Sequence, residues 1–130
     1  MSTDHAANDN VLALLAATRA NDNFRQVLIT GGHLQVVAMT IPPGGEIGAE
    51  SHAGHDQVLF FVEGHGEAIL EDETTPVGPG DFVFVHDGVH HNFVNTGDTP
   101  LRIATAYAPP EHAPGTVHAT KEEADAAEEE

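Results

Sequence analysis

Large apolar and small or polar residues change places at every second position through much of the middle of the chain. Leu101, Ile103, Thr105 and Tyr107 alternate with Arg102, Ala104 and Ala106, and Phe82 and Phe84 alternate with Val83 and Val85. A period of two belongs to a strand, whose side chains point to opposite faces in turn. Segments rich in Val, Ile, Leu, Phe and Thr carry the same character over residues 24–30, 33–41, 47–52, 57–62, 67–70, 81–85, 90–94 and 101–107, which are predicted as strands. Between them Gly31 and Gly32, the PPGG run at 42–45, GHG at 64–66, GPG at 78–80 and TGD at 96–98 supply turn residues that tolerate or preset unusual φ. Short strands with turns at short intervals predict an all-β sandwich or barrel spanning residues 23–108.

The two ends read differently. Residues 11–17, VLALLAA, are too few to span a bilayer, and the preceding MSTDHAANDN has acidic residues and no Lys or Arg, unlike a secretory signal. Asn8, Asp9 or Asn10 would cap a short helix ending near Asn21, so residues 1–22 are predicted as a helical arm packed on the barrel. After Tyr107 the proline-rich APPEHAPGTVH cannot continue a central strand. Residues 109–118 are expected to lie along the surface over an exposed sheet edge, and KEEADAAEEE, with little apolar surface to bury, to form either a frayed helix or, in preference, an irregular, solvated acidic tail.

Composition narrows the function. With 130 residues, 40% of them hydrophobic, the chain suits one domain with a single core. It has no cysteine, so disulfides and thiolate metal sites are absent and any metal site must use histidine, carboxylate, amide or water. Twenty-one Asp and Glu against four Lys and Arg give a formal charge of -17, which repels phosphate backbones and anionic membranes and keeps a cytoplasmic protein soluble. Neither nucleic acid nor membrane is expected as a partner. No glycine-rich phosphate loop, G-x-S-x-G elbow or thiol nucleophile is present.

Of ten histidines, six fall in two glycine-bounded stretches, GGEIGAESHAGHDQVLFFVEGHG and GDFVFVHDGVHHNFVN. Their layout resembles the paired motifs of the cupin superfamily, G-x5-H-x-H-x4-E-x6-G and G-x5-P-x-G-x2-H-x3-N. In the first, Gly44 opens the frame, Glu50 and His52 stand at the two histidine positions, Gln57 at the glutamate position, and Gly64 closes it. In the second come Gly80, His86 in place of proline, Gly88, His91 and Asn95. The chain is most similar to small single-domain bacterial cupins with E-x-H-x4-Q in the first motif and an ending like YAPPEHAPGTVHATK, some of which are likened by name to sugar-phosphate isomerases. The resemblance implies a jelly-roll barrel that holds one divalent metal ion through Glu50, His52, Gln57 and His91, and a homodimer paired through sheet edges. Strand alternation agrees with it: Glu50 and His52 share a face, onto which Gln57 and His91 can converge. Iron(II), manganese, nickel and zinc all accept such a donor set.

His55, three residues from His52, falls on the opposite face of an extended chain and is expected at the rim. His86 lies at the turn before the next strand. These two are the candidate proton-transfer groups of a metal-dependent enzyme, an oxygenase, isomerase or lyase acting on a small organic molecule. The sequence also allows, as alternatives of lower rank, a non-catalytic barrel that binds a small molecule or the metal alone, and a barrel whose mouth holds only hydrogen-bonded polar groups. His90 is expected outward, and His33 and His65 on the surface. His112 and His118 lie in the extension, and Phe60, Phe61, Phe82, Phe84 and Phe93 are read as core or interface packing.

Overall fold

The alternating segments pair as antiparallel strands. In the computed structural model, which describes residues 11–50 and 53–128, the chain runs α1 (Leu14–Ala20), β1 (Arg25–Thr30), β2 (Gln35–Ile41), β3 (Asp56–Glu63), β4 (Gly66–Leu70), β5 (Glu73–Val77), β6 (Phe82–Val85), β7 (His91–Asn95), β8 (Leu101–Ala108), β9 (Val117–His118) and α2 (Lys121–Glu128). One sheet has the order β6-β3-β8-β2-β1-β9 and the other β5-β4-β7. Their inner faces meet in one apolar cluster, where Phe61 of β3 and Phe93 of β7 bring ring centroids within 5.9 Å. Two facing antiparallel sheets of this kind form the all-β jelly-roll barrel predicted above.

Register decides what lies at each end of the barrel. Across β2, β8, β3 and β6 the inward residues align as Gln35, Tyr107, Gln57 and Val85, and the next inward level holds Val37, Thr105, Leu59 and Val83. Met39, Ile103 and Phe61 follow, then Ile41 and Leu101. On the smaller sheet His91 pairs with Leu70, Phe93 with Ala68 and Asn95 with Gly66. The barrel is thus polar at one end, with Gln35, Gln57 and His91, and apolar towards the other. The second motif's asparagine sits at the apolar end: Asn95 Nδ2 donates to the Ile41 and Thr99 carbonyls at 2.8 and 2.9 Å, and its Oδ1 accepts from the Gly97 N–H at 2.9 Å. Gly64, which closes the first motif, has φ +90°, and a Cβ there would lie 2.5 Å from the Pro100 carbonyl oxygen, so the turn admits no side chain.

Several expectations are corrected. Residues 47–50 form no strand; Glu46 and Glu50 make isolated bridges to Val94 and His91, because Gly48 takes φ +114° and gives its N–H to the Asn92 side chain. A strand not predicted, β5, has the sequence ETTPV with four exposed residues. It lies at a sheet edge, where Pro76 is tolerated. Helix α1 starts at Leu14 after Ala13, which makes no side-chain cap; Asn8, Asp9 and Asn10 lie outside the described residues. It packs on the outer face of β2, β3 and β8.

The tail is not irregular up to Glu128. Thr120 Oγ1 accepts from the Glu123 N–H, a side-chain cap that starts a helix, and Glu123 Oε1 accepts from the Ala119 N–H just before it. Lys121 pairs with Asp125 one turn on at 2.7 Å, and Ala124 is buried in the core. Val117 and His118 add to the edge of β1. Among the phenylalanines, Phe61 and Phe93 are core, but Phe82 and Phe84 are 60% and 42% exposed, since Val83 and Val85 take the inward positions of β6. No helix among the described residues is long and apolar enough to cross a membrane.

Replacing Phe61 by Ala is expected to destabilise the fold by about 3–5 kcal/mol through the cavity left against Phe93. Asn95→Ala, which strips the buried Ile41 carbonyl and the part-buried Thr99 carbonyl of their donor, is expected to lose about 1–3 kcal/mol. Urea unfolding followed by circular dichroism measures both, and an Asn95→Ala protein as stable as wild type would refute the structural role given to that residue.

Candidate functional site

Two turns are tied together at the polar end of the barrel. Asp87 accepts from the Gly54 N–H through Oδ1 at 2.7 Å, and its own N–H donates to Asp56 Oδ1 at 3.0 Å. The turn before β3 is thereby pinned to the turn before β7, and their side chains line one small cavity: His55, Gln57, Val85, His86, Val89 and His91. About 10 Å³ of it is open to the centre of a water-sized sphere, which is room for one water or ion.

His91 enters this cavity from the first residue of β7 and is 3% exposed. Its Nδ1 lies 2.8 Å from the Val89 carbonyl oxygen. A carbonyl can only accept, so Nδ1 carries the hydrogen and Nε2 of the neutral ring presents a lone pair. Nε2 is 3.8 Å from Glu50 Oε1, beyond hydrogen-bonding range. Glu50 is held opposite by a reciprocal pair of backbone hydrogen bonds with His91, at 2.8 and 2.9 Å. Gln57 is 5% exposed. Its Nε2 donates to Thr105 Oγ1 at 3.0 Å, and Thr105 in turn donates to the Val58 carbonyl at 2.8 Å. This chain fixes the amide so that Oε1 is the atom left over, and it has no hydrogen-bond partner among the described residues.

Of the four predicted ligands, Gln57 and His91 line the cavity and Glu50 stands beside His91; His52 lies outside the described residues. Among those residues no three His, Asp or Glu side chains gather closely enough to hold a metal by themselves. His55 stands at the rim with its side chain 21% exposed, and its Nε2 lies 3.1 Å from Glu111 Oε1 and 3.4 Å from the Pro110 carbonyl. His86 is exposed and rests on the Phe84 ring at 4.6 Å. His90, His33 and His65 are exposed. His118 lies 3.3 Å from Arg25 Nη1, and His112 meets the Tyr107 ring edge-on at 5.2 Å.

Three residues of the site carry no motif: Thr105, Gln35 and Glu111. Thr105 was legible as the one hydroxyl at an inward position between Ile103 and Tyr107. Gln35 and Glu111 are 76 positions apart and meet through the Gln35 side chain, which accepts from the Glu111 and His112 N–H groups at 3.2 and 3.0 Å. No local pattern announces such a contact.

Comparison with known proteins matches residues 37–107 to the cupin domain family. The chain is 37% identical over 131 aligned positions to the uncharacterized protein YrkC of Bacillus subtilis (strain 168), covering 96% of this chain and 70% of that protein. The crystal structure of BH2720 from Bacillus halodurans superposes with a TM-score of 0.87 at 39% identity, covering 89% of this chain and 92% of that one. An oxalate-binding protein of Thermotoga maritima is 32% identical over 63 residues, 48% of this chain and 52% of its own length. The family match spans both motifs and the inward rows of β3, β7 and β8, and the chain is a member of the cupin domain family.

Proposed function

We propose that the mouth of the barrel holds one divalent metal ion, bound by His91, Glu50, Gln57 and His52, and that the ion brings a small oxygenated molecule to the site. The observation that carries this reading is Gln57 Oε1, a buried acceptor without a hydrogen-bond partner among the described residues, on the wall of a cavity that admits one ion. An acceptor buried bare costs about 1–3 kcal/mol, and a cation removes that cost. The His91 tautomer supports the reading, because metal-ligating imidazoles usually give their second N–H to a backbone carbonyl or carboxylate. Glu50 adds the negative charge that a divalent ion requires.

A divalent ion bound there would polarise ligand oxygens as a Lewis acid. The rest of the chemistry falls to the chain: Thr105 orients Gln57, Val85 and Val89 make the wall apolar and limit water, and His55 and His86 stand where a proton could pass to or from a ligand. On this reading the chain is a metal-dependent enzyme acting on a small oxygenated substrate. A non-catalytic module that holds the ion with a small anion is the second reading. It is favoured by the small cavity and by the Thermotoga relative, which is named for binding oxalate.

Elemental analysis of untagged protein purified without chelator is expected to find on the order of one equivalent of metal, lost in Glu50→Ala and His91→Ala. Wild-type protein that stays metal-free after reconstitution would overturn the proposal. Thr105→Val, which leaves the Gln57 amide unoriented, is expected to weaken the metal about 10–100-fold in competition with a fluorescent chelator. Unchanged affinity in that variant would remove Gln57 from the ligand set.

A further inference from the structure

One edge of β7 meets the segment between β2 and β3, and the register of that contact changes partway. Glu46 pairs with Val94, and Glu50 pairs with His91. An even antiparallel ladder continued from Glu46 and Val94 would bring Ala49, and not Glu50, opposite His91. One extra residue therefore stands in the segment. It falls between Ile47, whose N–H donates to the Phe93 carbonyl at 2.9 Å, and Glu50, which exchanges both backbone hydrogen bonds with His91. This is a β-bulge, in which Gly48 and Ala49 together oppose Asn92.

The bulge decides which way the carboxylate faces. Ile47 is buried in the same core cluster as Phe93. Residues three apart on an even strand point to opposite faces, so an inward Ile47 would send Glu50 outward. The extra residue reverses that phase, and Glu50 lies on the side of its partner His91, which enters the cavity.

The Asn92 side chain closes the ladder where the bulge opens it. Its Oδ1 accepts from the Gly48 N–H and from the Phe93 N–H, both at 2.8 Å, and its Nδ2 donates to Glu46 Oε1 at 2.7 Å. In an even pairing the Phe93 N–H would meet the Ile47 carbonyl instead. Gly48 supplies the other half of the device, with φ +114°, a conformation that side chains disfavour.

We propose that Asn92 is a positioning residue for the metal site: by holding the bulge at Gly48 it keeps Glu50 turned towards His91. This rests on the metal reading above, and separate measurements tell the two apart. In the metal-free protein, Asn92→Ala is expected to speed hydrogen exchange at the Gly48 amide about tenfold, the effect of losing one hydrogen bond. With zinc as the probe, affinity in competition with a fluorescent chelator is expected to fall about 10–100-fold in the same variant.

Two rescue variants distinguish aim from stability. Asn92→Asp combined with Glu46→Gln reverses the donor and acceptor between these side chains at constant charge and keeps the acceptor for Gly48, so it is expected to bind zinc as wild type does. Deletion of Gly48 from the Asn92→Ala protein restores even alternation with Glu50 opposite His91 and leaves no bulge to hold, so affinity is expected to recover. A role in stability alone predicts no gain from removing a residue. Wild-type zinc affinity in Asn92→Ala overturns the proposal, as does an affinity that stays low in both rescue variants. Unchanged exchange at Gly48 overturns the hold on the bulge. Wild-type protein that binds no zinc defeats the metal reading itself, and the purpose given to the bulge with it.

Discussion

The in-register pairing of β2, β8 and β3 is the constraint on which the rest of the molecule depends. It places Gln35, Tyr107 and Gln57 side by side at one end of the barrel and Ile41 and Leu101 together towards the other. A slip of one residue in β8 would turn Leu101, Ile103 and Tyr107 to the outer face and bring Arg102 inward. Every feature of the mouth follows from that register. Gln57 meets Thr105 because β3 and β8 set them on adjacent inward levels, and Gln35 meets the segment after β8 because β2 begins beside Tyr107.

Polar side chains buried at the mouth are held there at a cost that the apolar levels beneath must exceed. Gln35 avoids most of it by satisfying its amide completely. Gln57 satisfies its nitrogen and leaves its oxygen. The difference between two glutamines at the same level separates structure from function: the first ties the chain to itself, and the second keeps an atom for something else. A buried acceptor left bare is the local rule that a site breaks, and the surrounding packing makes the breach tolerable.

Much of this was legible in the sequence, and the reason differs by residue. The inward series Leu101, Ile103, Thr105, Tyr107 was plain because burial enforces a period of two, and both motif frames were plain because their glycines take backbone conformations closed to other residues. In β6 the period was visible but its phase was not: FVFV gives no sign of whether Phe or Val faces in, and the valines do. β5 was missed because an edge strand need not be apolar. The helix at the end was read from its acidic composition, while its start signal, Thr120 with Glu123 three residues on, is local and could have been seen. The approach of the segment after β8 to the mouth could not, since Gln35 and Glu111 meet only after the barrel has closed.

The graded interior has a consequence for how such a chain can change. From Gln35 to Ile41 the inward row spans six residues, about 20 Å of strand, a separation at which substitutions add without coupling. Stability and chemistry are thereby lodged at opposite ends of one short protein. Ile41, Leu101 and Asn95 can be improved or worn down without disturbing what Gln57 and His91 face, and the mouth can acquire new donors while the far end supplies the stability they consume. A barrel divided in this way can drift towards different chemistries and keep its fold.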